Sequence, residues 1–135
     1  MTDTKDIQRV NWDVTIAQSE GGVSFFDNMI VRTLLGVNVF FCLVSFGLLG
    51  YFIRPTENII VLHYNVYFGV DIQGIWWQVF ILPIAGLFFL GGHTFFARRF
   101  YDRSLRIASY LMLFSSGLLS IGIVLASASV AYINY

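Results

Sequence analysis

Two histidines, one cysteine and eight carboxylates are all this chain offers for acid–base, nucleophilic or metal chemistry. They fall into no arrangement that demands a reaction. His63, Tyr64 and Asn65 stand together, and Asp71 follows eight residues after His63. His93 is isolated five residues before Arg98. It has no metal-ligating neighbour within two helical turns and suits an interfacial histidine donating to a backbone carbonyl. Cys42 sits among Phe40, Phe41, Leu43 and Val44, where a thiol acts as a small hydrophobe. No His-Glu-x-x-His, Cys-x-x-Cys, Gly-x-Ser-x-Gly or phosphate-binding glycine loop occurs. The expectation is a non-enzymatic protein without cofactor, catalytic residues or bound metal.

The elements that must hold these residues are set by lipid. Hydrophobic residues make up 57% of the 135 and charged ones only 12%, with 14 phenylalanines. A soluble domain of this length has too little interior for that much apolar surface. The fold class expected is an all-α membrane protein with three transmembrane helices. They cover about residues 34–53, 75–97 and 105–132, roughly 30 Å or more each at 1.5 Å per residue. Pro83 lies inside the second and is expected to bend it by removing the bond to the carbonyl of Val79. In the third, Ser116, Ser120, Gly122, Ala126 and Ser129 form a small-residue face suited to close helix contact. Gly86, Gly91 and Gly92 of the second span are its natural partners.

Orientation follows from arginine. Arg98, Arg99, Arg103 and Arg106 surround the link at residues 98–104, and Lys5, Arg9 and Arg32 precede the first span. The loop at 54–74 carries Arg54 alone. By the positive-inside rule the N-terminus and the 98–104 link are cytoplasmic, and the C-terminus and the 54–74 loop lie outside. Trp76, Trp77, Tyr132 and Tyr135 then mark the outer interface, and Phe100 and Tyr101 the inner one. Residues 1–23 form a polar cytoplasmic tail, and 24–135 the membrane domain. Within the tail, 5–17 fits helical or strand spacing equally. Ser24-Phe25-Phe26-Asp27 fits a capping box, which predicts a helix running from Ser24 to Ile53, its first two turns in the headgroup layer as a short interfacial N-terminal helix.

The outer loop is the segment with most to say. Its middle, from Asn58 to Asp71, is rich in β-branched and aromatic residues and should run extended. So much apolar surface in a loop implies that it folds back on the helices or meets a partner. His63, Tyr64, Asn65 and Asp71 are the candidate interaction surface. The competing structural role has Asp71 capping the second helix at the amide of Gln73 or Gly74, with His63 and Asn65 satisfying loop carbonyls.

The pattern His63-Tyr64-Asn65, then Asp71, Gly74 and Pro83, resembles a domain of unknown function at the front of SdpI-like bacterial immunity membrane proteins. Gly69 departs from it, lying six residues past His63 where the family has five. His-Tyr-Asn-x-Tyr-Phe-Gly-x-Asp is also similar to a motif of small bacterial membrane proteins. The resemblance covers about 30 residues and the span arrangement. It implies a bacterial cytoplasmic (inner) membrane setting and carries no activity. The function expected is a structural or accessory subunit of a membrane assembly. The alternatives are a recognition or immunity-type protein acting through the outer loop, or a transporter component. The partners expected are membrane lipid and other membrane-protein subunits or a second copy of the chain. Zero net charge gives no field for nucleic acid.

Overall fold

A computed structural model describes residues 23–135. The polar tail before Val23, including the helix-or-strand question at 5–17, lies outside the described residues. Helix α1 is Met29–Phe52. An antiparallel hairpin follows, with β1 Ile60–Asn65 and β2 Gly69–Gly74. A 3₁₀ turn, Trp76–Phe80, leads into α2, Ile81–Asp102, and α3 is Arg106–Asn134. The three long apolar segments contain 24, 27 and 29 residues, the second including the 3₁₀ turn, and each is long enough to cross a bilayer. The chain is thus a mostly helical, multi-pass membrane protein carrying a small two-stranded sheet.

Helix α3 is the centre of the bundle. It packs along both α1 and α2, whereas α1 and α2 meet each other only sparsely. Its buried positions are Ser109, Leu113, Ser116, Ser120, Ser127 and Ala131. Steps of three, four and seven residues keep these on one stripe of the helix, and its serines and alanine allow close backbone approach. Ser116 and Ser120 belong to this contact; Gly122 does not. It is exposed, and a Cβ there would meet nothing within 4 Å. Two residues beyond Ser120 is a rotation of about 200°, so Gly122 faces away from the packed seam. Ala126 is half-buried and Ser129 exposed. Of the three glycines expected opposite, Gly91 and Gly92 are open, and Gly86 alone is tight. A Cβ on Gly86 would stand 2.8 Å from Cδ1 of Ile123.

Two other expectations are corrected. Ser24 makes no side-chain cap, and no continuous helix begins there. Phe25–Asp27 is a single 3₁₀ turn, and Asn28 caps α1 instead, its Oδ1 accepting from the amides of Ile30 at 2.9 Å and Val31 at 3.3 Å. Asn28 stands immediately before the first helical residue, where a side-chain oxygen reaches the free amides of the first turn. Pro83 breaks no mid-span bond. Because Trp76–Phe80 is 3₁₀, the α-helix starts at Ile81 and Pro83 falls in its first turn, where an amide has no helical partner to lose.

Asn38 and five serines, Ser45, Ser109, Ser116, Ser120 and Ser127, are buried inside the bundle. Asn38 Nδ2 donates to the carbonyls of Leu34 at 2.7 Å and Leu113 at 3.2 Å, and its Oδ1 accepts from Ser120 Oγ at 3.2 Å. That ties α1 to α3 and satisfies an amide otherwise costly in lipid. Cys42 is buried as a free thiol, and His93 Nδ1 donates to the Phe89 carbonyl at 2.8 Å.

Candidate functional site

The hairpin carries all four candidate residues of the 54–74 loop. Its strands are not in simple register. The pairs Val61↔Gln73, His63↔Ile72 and Tyr64↔Val70 leave Leu62 on one strand and Asp71 on the other without opposite numbers. Such bulges re-aim side chains. Here they bring His63 and Asp71 together, with Nδ1 of the histidine 2.7 Å from a carboxylate oxygen. This hydrogen bond holds the Asp71 carboxyl below its ordinary value of 3.8. Both side chains are open to solvent, at 58% and 40% exposure. Asp71 therefore does not cap the second helix. That role passes to Gln78, whose Oε1 accepts from the Ile75 amide at 2.9 Å.

Asn65 Oδ1 accepts from the amide of Tyr67 at 2.9 Å, an Asx turn that starts the reversal. Gly69 completes it at φ +78°, a conformation that L side chains rarely adopt. Between them Val66, Tyr67 and Phe68 are 83%, 91% and 85% exposed. Tyr64 points elsewhere. With Leu62 and His63 it lines a groove of about 310 Å³ whose far wall is Leu82, Ala126, Ser129, Val130 and Ile133.

The hairpin's base is fixed to the bundle by a residue outside the expected set. Asn134 Nδ2 donates to the Val61 carbonyl at 2.7 Å, and its Oδ1 accepts from the Val61 amide at 2.9 Å. The side-chain amide thus pairs with β1 as a neighbouring strand would. Ile60 is buried with Leu49, Ile53 and Val79 in an apolar cluster beneath. The loop folds back at its base and stands free at its tip.

At the opposite end, Asn28 joins all three helices. Besides capping α1, its Nδ2 donates to the hydroxyls of Tyr101 on α2 at 3.2 Å and Tyr110 on α3 at 2.9 Å. Tyr101 donates in turn to the Val23 carbonyl at 2.8 Å. It is buried rather than belted at a membrane surface. Arg98, Arg99, Arg103 and Arg106 are all exposed at this end. Among the described residues, no three His, Cys, Asp or Glu side chains gather closely enough to hold a metal ion.

No family model, curated protein or solved structure matches this chain.

Proposed function

We propose that this protein is a non-enzymatic accessory subunit of a membrane assembly in the bacterial cytoplasmic membrane, docking to another membrane protein through its outer hairpin. The observation that carries this reading is a rigid hairpin with an uncovered apolar tip. The Asx turn, Gly69 and the Asn134 clamp fix the backbone, while Val66, Tyr67 and Phe68 stand in the open. An ordered strand pair presents those side chains with less entropic cost at binding than a flexible loop would. Tyrosine and phenylalanine are the residue types enriched at interface cores. The exposed His63–Asp71 pair flanks the tip and supplies polar specificity. Its exposure and its hydrogen bond also favour a second reading, recognition of an external protein as in the immunity-type family.

The test is purification of the chain from its native membrane in mild detergent, with measurement of complex mass. An accessory subunit elutes with a stoichiometric membrane partner, and Tyr67→Ala/Phe68→Ala releases it while the melting temperature stays constant. Elution as a homo-oligomer, or retention of the partner by that variant, contradicts the docking role of the tip.

A further inference from the structure

A cavity of about 270 Å³ opens at the arginine end of the bundle, far along the helices from the hairpin. It is lined by Val23–Phe26 and by Arg98, Tyr101, Asp102, Ser104 and Arg106. Its two cations are held in place by aromatic rings. The Arg98 guanidinium lies over Phe26, 5.7 Å from the ring centroid, and that of Arg106 over Tyr101 at 5.6 Å. Tyr101 is itself fixed by its bonds to Val23 and Asn28 and by an edge contact with Phe25. A guanidinium lying over a ring retains N–H donors that can meet a planar or tetrahedral oxyanion. Among the described residues Asp102 is the one carboxylate in the lining, with a single 4.0 Å approach to Arg98. Two guanidiniums against one carboxylate leave an excess positive charge. Ser104 adds a hydroxyl, and no side chain caps the first turn of α3 beside it.

The geometry points to a phosphate-binding site, and to a phospholipid headgroup as the source of the phosphate. The cavity lies where the apolar stretches of α2 and α3 give way to the polar link, the depth of the headgroup layer. Phe26, Met29 and Ile30 are exposed beside it and offer an apolar surface for the glycerol and upper acyl chains. Nothing comparable serves a soluble phosphate. Arg99 and Arg103 belong to the same charge cluster but do not line the cavity, which gives an internal control of equal charge.

Native mass spectrometry of the full chain in detergent, with phosphatidylglycerol and phosphatidylcholine of matched acyl chains, reads the site directly. The wild type retains phosphatidylglycerol in preference, and Arg98→Gln/Arg106→Gln lowers its apparent affinity roughly tenfold or more, as loss of charge-assisted phosphate contacts predicts. Arg99→Gln/Arg103→Gln leaves the preference intact. Arg106→Gln alone gives a smaller loss and serves if the double variant does not fold. Equal loss in the two double variants means diffuse attraction, and the site is then rejected, as it is if the wild type shows no preference. A parallel arm adds inorganic phosphate. Its binding in place of the lipid, with the same dependence on Arg98 and Arg106, assigns the phosphate to a soluble source and overturns the headgroup reading.

Discussion

At the scale of single residues, three asparagines organise the molecule. Asn28, Asn38 and Asn134 each join chain segments more than 70 residues apart. Each side-chain amide serves as both donor and acceptor at its junction. Asn134→Ala strands both polar groups of Val61 and is expected to cost about 1–3 kcal/mol. Faster amide exchange at Val61 and a lower melting temperature in detergent check it. The buried serines behave differently. Ser45, Ser109, Ser116 and Ser127 have hydroxyls with no hydrogen-bond partner among the described residues. Removing an unpartnered polar group relieves its desolvation, so Ser116→Ala is expected to leave stability unchanged or raise it. Ser120→Ala, which breaks a bond to Asn38, should lower it by roughly 0.6 kcal/mol, the typical worth of such bonds in bilayers. None of this was legible beforehand. Asparagine and serine in an apolar span read as a cost, and the partner that offsets the cost lies far away in sequence.

Elements show what hydrophobic length and spacing can reveal. Three apolar segments follow from hydrophobic length, because each can satisfy its own backbone in lipid only as a helix, and the extended run between the first two follows from its β-branched and aromatic residues. Contact faces follow less well. Small residues at 116, 120, 122 and 126 look alike in sequence, yet only rotation about the helix decides which of them meets a neighbour. Gly86→Leu is therefore expected to lower the melting temperature well below that of Gly122→Leu, the reverse of any ranking that treats Gly122 as the tight contact. The link from α2 to α3 offers a stabilising change. Leu105 N donates to the Phe100 carbonyl and Ser104 N to that of Tyr101, both at 2.9 Å, with Ser104 at φ 61°. This is a Schellman end with serine where glycine fits best. Ser104→Gly should raise stability by about 1 kcal/mol, read from thermal unfolding in detergent.

For the whole molecule, the open issues are orientation and response to acid. Arginine placement predicts that the 98–104 link lies inside and the hairpin outside. In a Cys42→Ser background, Thr56→Cys should react with an impermeant maleimide on intact cells and Ser104→Cys should not. Labelling at 104 alone reverses the orientation. Within the hairpin, the contact between Asp71 and His63 depends on pH. Because the His63 bond depresses the folded-state pKa of Asp71 below 3.8, its contribution is fully present above that value. It is lost as the pH falls through the lower, folded-state pKa. The side-chain carboxyl carbon of Asp71, followed by NMR in micelles, should titrate with a midpoint below 3.8, and His63→Ala should move that midpoint up toward it. Asp71→Asn should abolish that transition. A wild-type Asp71 midpoint at or above 3.8 would contradict the role of the His63 bond.

The central place of α3 also bears on how the chain is made. Spans one and two leave the ribosome first, yet each finds its main packing surface on the third. Until α3 emerges, two greasy helices share a membrane with little to hold them to one another, and the hairpin between them lacks the amide that fastens its edge. The nascent protein is therefore most vulnerable to membrane proteases late in synthesis. A chain ending before Arg106 should be degraded quickly, and co-expression of α3 as a separate segment should rescue it.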